Sequence, residues 1–204
     1  MIEALLSFSA ATVALALSPG PDNIYVITQS LVNGTKSGIA TTAGLISGCI
    51  VHTALLAFGV SALITASDSI FYAIKVFGAL YLLYLAYTVY KSDANVTFSD
   101  NAPKKSNWGL FKQGVFMNLV NPKVMIFFLA FFPAFLWNTA DDTISQFFIL
   151  GLTFMLVSFL IFSSLAVLAG SIKNFMTKQK SAGKLMKWLQ IIVFVGISIY
   201  ILIP

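Results

Sequence analysis

Long apolar runs separated by short polar segments set the pattern of this 204-residue chain. A helix needs about 20 consecutive apolar residues to cross about 30 Å of hydrocarbon. The pattern predicts six such spans, at residues 2–32, 39–65, 70–90, 110–137, 144–169 and 185–202. The runs lack the alternation of apolar and polar residues that is typical of barrel strands. We therefore expect an all-α integral membrane protein in which residues 1–204 form one transmembrane domain.

Composition and charge agree with this class. The chain is 58% hydrophobic and only 9% charged, whereas globular proteins carry roughly 25% charged residues. Ten lysines fall in the first, third and fifth linkers, but only Lys75 falls on the opposite side. This asymmetry predicts that both termini face away from the cytoplasm. The net charge of +5 is therefore attributed to loops at the cytoplasmic leaflet, and no nucleic-acid partner is expected.

Two of the apolar runs are interrupted by helix-breaking motifs. Residues 18–23 (Ser-Pro-Gly-Pro-Asp-Asn) interrupt the first span, and residues 121–123 (Asn-Pro-Lys) interrupt the fourth. Asparagine is a preferred N-cap and proline a preferred first helical residue, so a new half-helix is expected to start at each motif. Backbone groups freed by such a break are tolerated only when they face protein or a wet cavity. We expect Pro19, Gly20, Pro21 and Pro122 to act as hinges.

The two breaks occupy equivalent positions in the two halves of the chain. A shift of 101 residues lays Pro21 and Asp22 over Pro122 and Lys123. Each half contains three spans, so the second half enters the membrane from the opposite side. This arrangement predicts an inverted repeat of residues 1–91 and 108–204, joined by the linker 92–107, with a site where the interrupted helices meet.

Asp22 and Lys123 are the only acid and base predicted to lie deep in the membrane. Each would cost roughly 2.5–3.5 kcal/mol on insertion scales, so a shared polar cavity is expected. The two residues either form a structural ion pair or bind substrate. In the second interpretation, Lys123 and the half-helix N-termini receive a carboxylate, and Asp22 receives an ammonium group or a proton. An α-amino acid carries both groups.

Further candidates lie near the breaks. Asn23, Asn118 and Asn121 are candidate substrate-binding residues, although Asn118 could equally form an interhelical hydrogen bond. His52, the only histidine, is either a packed, hydrogen-bonded residue or a proton-relay group beside Asp22.

Gly44 and Gly48 predict a close-packing face on the second span, either within the monomer or in a homo-oligomer. One histidine, one cysteine (Cys49) and one buried acid cannot form an ordinary transition-metal site. No metal and no cofactor are therefore expected. The chain has no phosphate-binding glycine loop, which argues against an ATP-driven pump.

Together these motifs resemble the LysE/RhtB amino-acid exporter family of bacterial inner membranes. The resemblance lies in residues 18–23, in Gly34, Gly38, Gly44 and Gly48 with His52, and in Asn118 with residues 121–123. It implies efflux of amino acids or close derivatives, driven by the proton-motive force. The lysine- and arginine-exporting branch typically has Gln where this chain has Asp22, so the resemblance favours small neutral substrates of the threonine and homoserine type.

The alternatives are an exporter of basic amino acids, an intramembrane enzyme acting on a lipid-linked substrate, and a membrane scaffold. The enzyme is disfavoured because the sequence shows no recognisable set of nucleophile and base.

Overall fold

All regular structure in the described part of the chain is helical. The computed structural model describes residues 1–18, 20–92, 104–140, 142–178 and 182–202, and no strand occurs among them. The α-helices are α1 (Ile2–Leu17), α2 (Pro21–Asn33), α3 (Thr35–Leu55), α4 (Ser61–Ala66), α5 (Asp68–Lys91), α6 (Asn107–Val120), α7 (Pro122–Phe131), α8 (Thr143–Val167), α9 (Ala169–Lys178) and α10 (Ala182–Leu202). This content confirms the all-helical prediction.

The number of membrane spans depends on how the bent helices are counted. Within the described residues, four helices are long and apolar enough to cross a membrane, namely Thr35–Ile64, Ser69–Lys91, Thr143–Val167 and Gly183–Leu202. The first pair of half-helices, α1 and α2, bends by 60°, and the second pair, around Pro122, bends by 59°. Each pair is also long and apolar enough when it is taken as one span, which gives up to six.

Two segments differ from simple straight spans. The second span continues from α3 through a π-helical turn at Leu56–Val60 into α4. The fifth linker, predicted at residues 171–187, includes most of the helix α9, which contacts α2 and α8. Its polar residues are compatible with a helix because a surface helix needs only one apolar face.

Glycines hold α3 and α6 in backbone contact. A Cβ atom at Gly44 would collide with the carbonyl oxygen of Phe111, and one at Gly48 would lie 2.5 Å from Oδ1 of Asn118. Gly114 of α6 makes the reciprocal approach to the backbone of α3. Small residues allow such close approach between membrane helices. The Gly44/Gly48 face is therefore occupied within the chain, and the interpretation of this face as a homo-oligomer interface is wrong.

An aromatic cluster fills the core beyond the second break. Phe8 of α1 lies 5.0 Å from Phe131, 5.1 Å from Phe132 and 5.2 Å from Phe135, measured between ring centroids. These four side chains are at most 3% exposed. Such centroid distances are typical of favourable aromatic pairs. The cluster thus ties the first half of one interrupted span to the second half of the other.

Candidate functional site

Hydrogen bonds on both sides of the first break pair several of its backbone groups. Helix α1 ends at Leu17, and α2 begins at Pro21 after Gly20, whose backbone is extended. The Asn23 side-chain amide donates to the carbonyl of Ala16 at 2.8 Å, and the backbone N–H of Ser18 donates to Ala14 and Leu15. Side-chain capping of this kind replaces the hydrogen bonds that lipid cannot provide. Asn23 lies on α2 and bonds to the end of α1, and it therefore fixes the geometry of the break.

The second break is braced by a histidine. Asn121 is extended between α6 and α7, and Pro122 is the first residue of α7, as predicted. The carbonyl of Asn118 accepts from the backbone N–H of Asn121 at 3.2 Å and from Nε2 of His52 at 3.3 Å. Because a carbonyl only accepts, Nε2 carries the hydrogen in this contact. His52 is buried, and the centroid of its ring lies 5.4 Å from that of the Phe128 ring.

Both breaks line one cavity of about 120 Å³. The first break contributes Ser18, Gly20, Pro21, Asp22 and Asn23, and the second contributes Asn118 and Asn121. A buried water needs only roughly 10–15 Å³ of such space, so the cavity has room for more than one small polar group. The two break motifs, which are 101 positions apart in the sequence, thus line the same cavity.

The cavity is polar at the breaks and mostly apolar elsewhere. Asp22 lies half-buried in the polar wall, and the amide of Asn118 donates to Sγ of Cys49 at 3.6 Å beside it. Apolar side chains of Leu45, Phe127, Phe154, Phe162 and Phe194 form most of the remaining wall. A largely apolar pocket with a few convergent polar groups is the usual form of a small-molecule site.

Most of the predicted site residues that can be located lie at this cavity. Six line it, namely Gly20, Pro21, Asp22, Asn23, Asn118 and Asn121. His52 and Pro122 do not; His52 lies behind Asn118, and Pro122 is exposed at the start of α7. Pro19 and the side chain of Lys123 lie outside the described residues. The pairing of Lys123 with Asp22 stays a prediction.

Sequence reasoning missed Cys49 and Ser158 in the cavity wall. Cys49 follows the predicted packing glycine Gly48, and a lone thiol in an apolar span carries no signal of its own. Ser158 is a polar residue in the apolar run from residue 147 to 169. Serines in helices commonly bond to their own backbone, so position alone does not distinguish a site residue from a self-satisfied one.

Comparison with known proteins assigns the chain to a family. The model of the LysE type translocator family matches residues 13–204. The homoserine/homoserine lactone efflux protein of Salmonella typhimurium is 33% identical over 155 residues, which is 76% of this chain and 75% of that protein. The protein of the same name from Salmonella typhi matches with the same identity and coverage. No solved structure shows a significant match.

The family match covers both helix breaks, the cavity and the α3–α6 packing face. It confirms the resemblance found in the sequence motifs, and it confirms a transporter rather than an enzyme. The chain belongs to the LysE type translocator family.

Proposed function

We propose that this protein is a secondary-active exporter of small neutral amino acids or their close derivatives. In this proposal the substrate binds between the two halves, near the bilayer midplane, and alternating access is coupled to the proton-motive force. The observation that carries the proposal is the cavity in which both helix breaks meet, with Asp22 from one and Asn118 and Asn121 from the other. Discontinuous helices that surround a midplane site are a recurring design of secondary transporters.

The α-amine is the proposed anchoring group of the substrate. The two Salmonella relatives are named for both homoserine and homoserine lactone. The lactone keeps the α-amine but has no free carboxylate, so the amine is the charged group that the two molecules share. We assign it to the carboxylate of Asp22. The amides of Asn118 and Asn121, the half-helix N-termini and Lys123 would then serve the carboxylate or carbonyl oxygens.

Helix contacts support the inverted repeat. Exchange of the two halves would map the contact of α3 with α6 onto that of α8 with α1, and both contacts occur. The same exchange maps the pairs α3–α8 and α5–α10 onto themselves, and these pairs also pack together. We therefore propose halves at residues 1–91 and 108–204, with residues 92–107 as the linker.

The two ends of the cavity region differ in a way that suits alternating access. Phe8, Phe131, Phe132 and Phe135 pack together beyond one end. Towards the other end, α2 buries Gln29, whose side-chain oxygen accepts from Asn33 at 2.8 Å. With the proposed orientation in a bacterial inner membrane, both termini are extracytoplasmic. The phenylalanines then close the exit while the polar half of α2 faces the cytoplasmic side.

Asp22 is also the proposed coupling group. An ionised carboxylate binds an ammonium group, and a protonated one does not. Competition between the substrate amine and a proton for Asp22 would therefore exchange one for the other across the membrane, and membrane-embedded carboxylates are common in proton relays. His52 is the second protonatable candidate, but it lies behind Asn118 rather than in the cavity wall.

The test is uptake into inside-out membrane vesicles, in which export becomes accumulation. Labelled homoserine, homoserine lactone, threonine and lysine are compared with the lumen acidified and after the gradient is collapsed. We expect homoserine, its lactone and threonine to accumulate only with the gradient. Preference for lysine would support the basic-substrate alternative. Accumulation of none of the four would contradict the proposed transport, and equal accumulation without a gradient would contradict proton coupling.

A further inference from the structure

One hydroxyl group in the cavity wall has no hydrogen-bond partner within the described part of the chain. Ser158 of α8 is 1% exposed, and its Oγ atom is buried and unpaired. Buried polar atoms are nearly always paired, so an exception requires a reason. The reason is sought in the cavity because Ser158 is one of its lining residues.

Two other hydroxyls on the same helix behave differently. Thr153 donates to the carbonyl of Ile149, and Ser164 donates to that of Leu160, both at 2.8 Å. This bond to the residue four positions earlier is the ordinary way for a helical hydroxyl to satisfy itself. Ser158 does not make it. Its hydroxyl is therefore left available to a group inside the cavity.

The surroundings of Ser158 single it out further. Phe154, Ser158 and Phe162 are spaced four residues apart, so they share one face of α8, and all three line the cavity. The wall that they form is aromatic apart from this one hydroxyl. Two other buried hydroxyls, of Ser30 and Ser163, are also unpaired within the described residues, but neither of them lines the cavity.

We propose that Ser158 determines specificity by hydrogen-bonding an oxygen atom on the substrate side chain. The proposal rests on the function proposed above, in which Asp22 holds the α-amine. The side chain of the bound molecule then projects towards the face of α8. A small side chain with one oxygen, such as a hydroxyl or a lactone oxygen, both fits between Phe154 and Phe162 and pairs with Ser158. A hydroxyl can donate or accept, so it serves either kind of oxygen.

The experiment compares homoserine with norvaline, which has a methyl group in place of the terminal hydroxyl. Transport of both is measured in inside-out vesicles for the native protein, Ser158→Ala and Ser163→Ala. We expect the native protein to prefer homoserine by about tenfold in kcat/KM, the usual worth of one hydrogen bond. Ser158→Ala should lose this preference through a lower value for homoserine, with norvaline transport unchanged. Ser163→Ala removes an unpaired hydroxyl outside the cavity and should behave as the native protein.

The outcomes separate the two proposals. Absence of amino-acid transport by the native protein overturns the proposed function, and the role of Ser158 with it. Transport of homoserine and norvaline with equal kcat/KM by the native protein overturns the role of Ser158 alone, whether or not the variant folds. An unchanged preference in Ser158→Ala, at native abundance in the membrane, overturns it too. Equal loss of preference in Ser163→Ala would show a general effect on α8 and would also contradict the proposal.

Discussion

The two interrupted spans have similar bends but differently built second halves. Helix α2, after the first break, buries polar side chains, among them Asn23, Gln29 and Ser30. Helix α7 and the 3₁₀ turn that follows it bury phenylalanines instead, namely Phe127, Phe128, Phe131, Phe132 and Phe135. The bends are 60° and 59°, so the contrast lies in the side chains and not in the course of the backbone.

This contrast indicates that the two interrupted spans have different roles. In both spans, the break interrupts the helical hydrogen bonds of the backbone and contributes residues to the cavity wall. The half-helix after each break then provides different surroundings for the cavity. Helix α2 provides hydrogen-bonding side chains, and α7 provides packed aromatic side chains. Each of the following changes alters one side of this comparison, and they run from the largest expected effect to the smallest.

Gly44→Leu tests the contact that anchors the second interrupted span. The new side chain would collide with the backbone of Phe111, which cannot rotate away. Overpacking commonly costs 1–3 kcal/mol, and we expect at least about 3 kcal/mol here, enough to remove most folded protein. Size-exclusion chromatography of detergent-solubilised protein measures the loss. Gly196→Leu is the control because a Cβ atom there meets nothing within 4 Å. Equal yields for the two variants would contradict backbone contact between α3 and α6.

Asp22→Asn tests the acid that distinguishes the first break from the second. Loss of a charged partner in a desolvated site typically costs 2–5 kcal/mol, so transport should fall by at least about 30-fold. The protein should remain folded because the shape of the side chain is kept. Asp142→Asn is the control, since Asp142 is exposed and its left-handed backbone suits asparagine. Native transport rates in Asp22→Asn would end the proposed role of this carboxylate.

Phe131→Ala tests the aromatic seal of the second span. Phe131 is fully buried against Phe8, Phe127 and Phe135. Removing a buried phenylalanine costs about 3 kcal/mol, because the cavity left behind collapses only in part. Thermal unfolding in detergent should therefore show a clear loss of stability. Phe116→Ala, at a position that is 64% exposed, should change stability little. A similar loss in both variants would mean that α7 is not packed as described.

Gln29→Leu tests the polar half of the first span and should have the smallest effect. Gln29 is 1% exposed and hydrogen-bonds Asn33 and Tyr25. Breaking these bonds should cost about 1 kcal/mol, since the leucine fills the space but leaves the partners unmatched. The control is Thr88→Val, which removes an exposed hydroxyl on α5. Greater stability in Gln29→Leu than in the native protein would show that the polar half of α2 is not a connected network.

The sequence was most informative where physics forces an unusual residue into lipid. Prolines and a carboxylate within an apolar run cost free energy in a membrane unless they lie at a helix break that faces protein or a wet cavity. Both breaks, and the half-helix that starts at Pro122, could therefore be predicted. The meeting of Asp22 with Asn118 and Asn121 at one cavity agrees with the shared depth inferred for the two motifs.

Features that depend on contacts between distant segments were not predictable from a single chain. The Gly44/Gly48 pattern indicates close packing but does not name the partner helix, which is α6 of the same molecule. Phenylalanine in a span looks the same in the sequence whether it is exposed, as at Phe116, or buried in the core, as at Phe131. Ser158 stands out only once the hydrogen bonds of its neighbours are known.

The contact between α3 and α6 has a mechanical consequence. It joins one half of the chain to the other through backbone atoms at Gly44 and Gly114, where no side chain can swing aside to absorb movement. The two helices can rotate about such a contact, but they cannot separate gradually through changes of side-chain rotamer. In the proposed alternating access, the two halves would rotate relative to each other about the contact between α3 and α6. The movement is then expected at α2 and α7, because these half-helices begin at Pro21 and Pro122, next to the breaks.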